Sequence, residues 1–189
     1  MNTPAHVILA MAAFGRRTSG RVTAAAALGG LTPDIPLYAM SGWALGVSGV
    51  SAAQLFDVLY FSPSWQAMFA IDHALPLWAA ALALSVLFRE PVSVAFAGGG
   101  LLHAVADFLV HHDDARRQLW PFSDFVFRSP VSYWDPAHYG TVFAPVELAA
   151  SLALCVFLWL RHRAAGARAA IVALGAAEAA PWLLWRLVF

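Results

Sequence analysis

Lysine is absent from this chain of 189 residues, cysteine occurs once, and charged residues are scarce. The single cysteine, Cys155, excludes an intrachain disulfide and a metal site built from several thiolates. Charged residues make up 12% of the chain, whereas a soluble domain has roughly 25%, so the composition argues against a water-soluble globule. The formal net charge is zero. Without a surplus of basic residues to attract phosphates, we expect no nucleic-acid partner.

Long apolar runs are what the chain has in abundance. Hydrophobic residues account for 61% of it, and a helix needs about 20 of them in succession to cross a bilayer core. Four runs reach this length, at residues 68–88, 91–111, 141–160 and 169–189. A fifth run, residues 22–50, is interrupted by Pro33 and Pro36, which remove backbone hydrogen bonds and kink a helix. Residues 5–14 are too few to cross alone.

These runs predict an all-α fold. We expect a multi-pass transmembrane helical bundle of about five spans plus a short N-terminal helix, with a broken helix between Pro33 and Pro36, forming one integral membrane domain over residues 1–189. Arginines gather in alternate turns, around Arg17, Arg89 and Arg163, and short cytoplasmic loops are rich in such residues. This pattern places residues 51–67 and an aromatic-rich cap loop, about 112–140, on the outer side.

Ionisable side chains within the apolar runs are the most informative feature, because each costs about 2.5–3.5 kcal/mol on insertion scales when it is central and unpaired. His103, Asp107 and His111 follow one another at four-residue spacing. Each such step turns a helix by about 400°, so the three side chains share one face. Two imidazoles and a carboxylate favour a divalent cation, zinc first, with iron, manganese, cobalt and nickel as alternatives. The other interpretation is that Asp107 hydrogen-bonds a histidine and holds two spans together.

Other polar residues fall where these spans begin, end or break. Asp34 lies in the proline-flanked break, from which its carboxylate either reaches another span or only caps the following helix. His73 is either a completing metal ligand or an interfacial histidine, and His6 projects from the short N-terminal helix. Glu147 and Glu178 stand singly on their spans, and we expect both to be neutral, hydrogen-bonded carboxyls.

The residues that follow the His103–His111 face add candidate chemistry. Asp113 and Asp114, together with Asp72, are candidate general bases. Arg116 and Arg117 could bind an anionic phosphate through paired hydrogen bonds. The alternative is that the two aspartates are solvated loop residues and that the two arginines lie at the interface and pair with them.

Several of these residues belong to short motifs that occur in a distinctive order. In sequence they are Pro4-Ala5-His6, the Pro-Asp turn at residues 29–34, His73 ahead of an apolar run, and His103-x-x-x-Asp107 followed by Trp120-Pro121-Phe122. In this order they resemble the membrane-bound metal-dependent hydrolase family, bacterial inner-membrane proteins distantly related to zinc-dependent phospholipase C. Pro36 stands where that family usually has the second acid of Pro-Asp-x-Asp. The resemblance implies an inner-membrane protein with a divalent metal, held by His6, Asp34, His73, His103 and Asp107.

The sequence thus leads to one principal hypothesis and two alternatives. The first is a membrane-embedded metal-dependent hydrolase that acts on a lipid phosphoester near the outer leaflet, with membrane lipids as its surroundings and partners. The second is a non-catalytic membrane protein in which a metal or polar cluster fixes helix packing. The third is a small metal or proton transporter, since intramembrane His and Asp also build ion pathways.

Overall fold

The computed structural model describes the backbone of residues 1–188 and the side chains of residues 1–181. Over this part of the chain the regular structure is helical and contains no β-strand, which confirms the predicted all-α class. The helices are α1 (Thr3–Phe14), α2 (Gly20–Leu31), α3 (Ile35–Gly46), α4 (Ala52–Gln54), α5 (Pro63–Asp72), α6 (Leu75–Leu87), α7 (Pro91–Val110), α8 (Gly140–Arg161) and α9 (Ala165–Val188).

Three helical segments in the described residues are long and apolar enough to cross a membrane: Pro63–Leu87, which combines α5 and α6, then α7 and α8. Helices α7 and α8 agree with the predicted spans 91–111 and 141–160. The predicted span 169–189 falls within α9, but Phe189 and the side chains of residues 182–188 lie outside the described residues. The count of about five spans is therefore not confirmed, whereas three membrane-length helices are present.

The predicted span 68–88 differs from the structure in its start and in its continuity. Helix α5 begins earlier, at Pro63, and the helical path is interrupted after Asp72 before α6 starts at Leu75. Pro76 in the first turn of α6 has no N–H to continue a preceding helix, so a new helix begins there. The interruption puts His73 between two helices rather than on the side of one.

The proline-flanked segment forms a joint between two short helices. A 3-10 turn, Thr32–Asp34, separates α2 from α3, at the position predicted for the break. Each helix has 12 residues and is about 18 Å long, short of the ~30 Å core of a bilayer. Helix α2 packs against α1 and α7, whereas α3 leaves them and packs against α5. Asp34, in the joint, therefore lies where α2, α3, α5 and α7 meet.

Glycines allow α1, α2 and α7 to approach each other closely. A Cβ atom on Gly30 of α2 would lie 2.8 Å from the Ala10 Cβ and 2.8 Å from the His6 carbonyl oxygen, both on α1. A Cβ atom on Gly99 of α7 would lie 2.6 Å from the Ala26 carbonyl oxygen on α2. Small residues at such crossings are typical of helix packing in membranes. The backbones of all three helices consequently come together around Gly30.

We expect Gly30→Ala to push α1 away from α2 and to destabilise the protein by about 1–3 kcal/mol, the usual effect of overpacking. The matched control is Gly42→Ala on α3, because a Cβ atom there meets nothing within 4 Å. Thermal unfolding of the detergent-solubilised protein measures both variants. Equal melting temperatures for Gly30→Ala and Gly42→Ala would show that the close crossing is not needed.

The distribution of polar and apolar side chains is reversed relative to a soluble protein. Large apolar side chains on the outside of the candidate spans are exposed, including Leu84, Leu109 and Leu160. Charged and polar side chains are instead buried between the helices, including Asp107 and Glu147. Ionisable residues in membrane proteins face the bundle interior because a charge is costly in contact with lipid. The arrangement agrees with three membrane-length helices whose outer faces contact lipid.

The loop between α7 and α8 is an ordered cap over one end of the bundle. It is tied to the last turn of α7, since the N–H groups of Ser129 and Tyr133 donate to the carbonyls of His111 and Val110 at 2.9 and 3.0 Å. Gln118 in the same loop accepts a hydrogen bond from the Leu75 N–H at the start of α6, at 2.9 Å. These bonds satisfy backbone groups that a helix end leaves free. They also hold the cap next to His73 and His111.

Candidate metal centre

Four histidines from separate parts of the fold meet around Asp107 of α7. His103 precedes Asp107 by one turn, His111 follows directly after α7, His6 comes from α1, and His73 comes from the interruption between α5 and α6. The Nε2 atoms of His6 and His111 lie 2.8 and 3.1 Å from Asp107 Oδ1. Those of His73 and His103 each lie 3.3 Å from Asp107 Oδ2. Asp107 therefore presents one carboxylate oxygen to each pair of imidazoles.

Asp34 completes this cluster from the joint between α2 and α3. Its Oδ1 lies 3.7 Å from His103 Nε2 and 3.9 Å from His73 Nε2. Its Oδ2 accepts a 2.5 Å hydrogen bond from the Thr3 hydroxyl. The carboxylate makes no capping hydrogen bond to α3 within the described chain. The interpretation of Asp34 as a mere helix cap is thus wrong, and the carboxylate does reach across to other helices.

The outer nitrogens of three of these imidazoles contact acceptors. His103 Nδ1 donates to the Gly30 carbonyl at 2.8 Å, His73 Nδ1 contacts the Asp72 carboxylate, and His111 Nδ1 lies 2.9 Å from Asp114 Oδ2. With the proton on Nδ1 of His103 and His73, the Nε2 lone pair of each of these two rings faces the cluster. Metal-binding histidines are characteristically oriented by this kind of outer partner.

His73 and His103 have the ring arrangement that best suits a shared cation. Their rings are T-shaped, with an interplanar angle of 71°, so both in-plane lone pairs can point at one position. The rings of His6 and His103 are stacked with an interplanar angle of 12°, and the in-plane lone pairs of two stacked rings cannot both point at one position. A tetrahedral cation with bonds of about 2.0–2.1 Å holds its ligand atoms about 3.3 Å apart. The N···O separations of 3.3–3.9 Å that link His73 and His103 to Asp34 and Asp107 are close to this value.

Unpaired buried atoms support the same assignment. Among the described residues, His103 Nε2 and both ring nitrogens of His6 are buried without a hydrogen bond. Leaving such a group unpaired away from water is costly. The donor atoms of Asp34, His73 and His103 lie within 4.8 Å of one another, as do those of His6, His103 and Asp107. These buried His and Asp groups could therefore hold a metal ion.

Arg116 of the cap lies against this cluster, which differs from the alternative interpretation that it pairs with Asp113 and Asp114 at the interface. The guanidinium is buried, donates to Asp107 Oδ2 at 3.3 Å and to Tyr60 Oη at 3.5 Å, and contacts His73 Nε2. Burial lowers the pKa of Arg116, but Tyr60 and the carboxylate of Asp107 raise it further, to above its ordinary value. Arg116 thus places a fixed positive charge beside the site.

The other candidates from the cap are distributed differently. Arg117 lies near the surface and donates to Asp124 at 3.0 Å, so it too does not pair with Asp113 or Asp114. Asp113 is exposed and lies 3.7 Å from the His112 ring. Asp114 is nearer the cluster and accepts from Trp134 Nε1 at 3.2 Å. Burial raises the pKa of Asp114, but the hydrogen bond and charge of His111 lower it more, so the pKa falls below its usual value.

The structure also brings in residues that the sequence did not single out. Tyr60 and Thr3 contact the cluster from segments without any local motif, and only their position in the fold reveals them. Asn2 links the remaining two buried acids: its N–H donates to Glu147 Oε1 at 2.6 Å, and its Nδ2 donates to Glu178 Oε1 at 3.3 Å. The prediction that both glutamates are hydrogen-bonded is therefore confirmed, while their neutrality stays a prediction.

A cavity of about 500 Å³ adjoins the cluster and opens beneath the cap. Asp34 and Arg116 line its inner part, and exposed aromatic side chains line its outer part, among them Phe56, Phe61 and Trp134. The cluster is consequently accessible to a small polar group.

Comparison of this chain with protein-family models, curated proteins and solved structures gave no match.

Proposed function

We propose that the protein is a membrane-embedded metal-dependent hydrolase, as its resemblance to the membrane-bound metal-dependent hydrolase family implies. The observation that carries the proposal is the convergence of four imidazole Nε2 atoms on Asp107, three of them on rings whose Nδ1 atoms meet acceptors. Zinc is the metal we propose first, because imidazole and carboxylate are its usual ligands. We place the chain in a bacterial inner membrane, with about five spans and the cap at the outer leaflet.

Asp34, His73, His103 and Asp107 would hold the cation, and His6 and His111 face the second oxygen of Asp107. A divalent cation bound there activates water for nucleophilic attack and withdraws charge from a phosphoryl oxygen. Asp72 and Gly30 orient His73 and His103 through Nδ1, so that Nε2 of each ring faces the cluster, and Arg116, which contacts His73 Nε2, would have to move aside when the cation binds. Because Asp72 acts through His73, we propose it as a positioning residue rather than a base.

The cavity beside the cluster supports a phosphoester as the substrate. Arg116 reaches the cavity with a permanent charge, and its Nε is buried without a hydrogen bond among the described residues. A guanidinium with unused donors suits a phosphate, which accepts several hydrogen bonds at once. Asp114 also lines the cavity, and we propose it as the base that would accept a proton from water. A lipid phosphoester is the substrate class we propose, because the cavity opens among exposed aromatic side chains.

Metal analysis combined with a phosphoesterase screen tests this function. We expect the detergent-purified protein to contain a stoichiometric divalent cation and to hydrolyse a lipid phosphoester. His103→Ala should lose the cation and the activity together, because His103 belongs to both candidate ligand groups. His162→Ala is the control, since this residue follows the last turn of α8 and does not contact the cluster. A metal-free wild-type protein whose activity is unchanged by His103→Ala would disprove the proposal.

A second candidate function is a polar cluster that only fixes helix packing. The observation in its favour is that Arg116 of the cap contacts both Asp107 of α7 and His73 between α5 and α6, and so ties these elements together. Under this alternative, His103→Ala lowers the melting temperature by the loss of interhelical contacts worth about 0.6–2 kcal/mol each. The wild-type protein would then contain no stoichiometric metal and would show no phosphoesterase activity.

A further inference from the structure

We propose that a second, apolar cavity binds the hydrocarbon chain of the substrate while its anionic head lies in the cavity beside the metal centre. This inference rests on the proposed function and specifies the substrate as an amphiphile with a chain in a defined groove. The apolar cavity measures about 360 Å³ and lies where α1, α2, α3 and α9 meet. It shares two lining residues, Thr3 and Tyr38, with the cavity beside the metal centre.

The lining of this groove suits a hydrocarbon chain. Its walls are Pro4 and Val7 of α1, Ala27, Leu28 and Leu31 of α2, and Leu174 of α9. Apart from Thr3 and Tyr38 at one end, the lining side chains contain no polar atoms. An apolar chain gains free energy there roughly in proportion to the surface that it removes from water. A polar head group would find no hydrogen-bond partner along these walls.

Thr3 and Tyr38 line both cavities and so form the junction between them. The two hydroxyls are 2.8 Å apart. Thr3 also donates to Asp34 Oδ2 at 2.5 Å, so the junction adjoins the candidate metal ligands directly. Tyr38 is more than half exposed, and its side chain can turn outward without leaving a packed core. A molecule that extends past these hydroxyls has one end at the metal centre and the other in the groove.

The charge of Arg116 in the first cavity determines which head group fits. Arg116 is buried there, remains protonated and has an unpaired Nε. An anionic head forms a charge-assisted hydrogen bond with the guanidinium, whereas a neutral acceptor forms a weaker one and a cationic head is repelled. The two adjoining cavities therefore match an amphiphile with a phosphate-type head and a hydrocarbon chain.

Photo-crosslinking in phosphatidylcholine nanodiscs tests the proposal independently of catalysis. The probe is dodecyl phosphate with a diazirine at the end of its chain. We expect labelled peptides to come from the groove, around Leu28, Leu31 and Leu174. Leu28→Trp should fill the groove and weaken labelling roughly tenfold, as expected when about two methylenes lose their burial.

The matched control is Leu84→Trp on α6, because Leu84 and Leu28 are exposed to the same degree, 55% and 54%, and Leu84 lies outside the groove. It should label as the wild type does. Labelling that is equal in the two variants, or spread evenly over the outer surface, would overturn the proposal. Groove labelling without hydrolysis of any phosphoester would contradict only the proposed function. Hydrolysis of a lipid phosphoester without groove labelling would contradict only the chain site.

Discussion

Asp107→Asn is expected to abolish metal binding almost completely while leaving the shape of the side chain unchanged. The reason is that the two oxygens of Asp107 face different imidazoles, so one substitution breaks both halves of the cluster. Loss of an outer partner of a metal ligand typically costs about 10–100-fold in affinity, and loss of a shared ligand should exceed that. Metal content after dialysis, and a titration of the apoprotein with zinc, measure the effect.

Substitutions of two further aspartates provide an intermediate case and a control for the zinc affinity of Asp107→Asn. Asp72→Asn removes the acceptor of His73 Nδ1 but no direct ligand, so its zinc affinity should fall by roughly 10–100-fold. Asp124→Asn changes an exposed side chain that pairs with Arg117, and its affinity should equal that of the wild type. If Asp107→Asn kept a full equivalent of tightly bound zinc, the assignment of Asp107 as a ligand would be wrong.

Arg116→Gln is expected to produce the second large effect, a loss of stability in the metal-free protein of about 3–5 kcal/mol, the usual result of removing one partner of a buried ion pair. The guanidinium lies 3.3 Å from Asp107 Oδ2 and offsets the charge of this buried carboxylate. A divalent cation would offset it equally well. Added zinc should therefore restore much of the lost stability, and the melting-temperature shift on adding zinc should be larger in Arg116→Gln than in the wild type.

The neighbouring residue provides the control for Arg116. Arg117 pairs with exposed Asp124, and a surface ion pair contributes only about 0–1 kcal/mol. Arg117→Gln should thus have nearly the wild-type melting temperature with and without zinc. Thermal unfolding in the presence of a chelator, and again with zinc, compares the two variants. A zinc-induced shift that is the same in Arg116→Gln as in the wild type would refute the idea that Arg116 and the cation neutralise the same carboxylate.

Much of the fold could be predicted from the sequence because it depends on local pattern. Apolar runs of membrane length must satisfy their backbone hydrogen bonds internally, which makes them helices, and α7 and α8 lie where these runs lie. The spacing of His103, Asp107 and His111 likewise placed three side chains on one face of α7 without knowledge of any other helix. The interruption at His73 was not predicted from hydropathy, which runs on through it, although Pro76 in the first turn of α6 is a local signal for the start of a helix.

The sequence by itself determined that this is an all-α chain with membrane-length helices and a set of His and Asp residues that need partners. Hydropathy and four-residue periodicity act along the chain, and a single sequence displays both. Only the tertiary structure decided which partners these residues have. His6 and Asp34 reach the cluster because α1, α2 and α7 cross closely at Gly30. Arg116 is buried against Asp107 because the cap folds back over the end of α7. Contacts between residues so far apart in sequence depend on helix crossings and loop paths, and no local spacing specifies them.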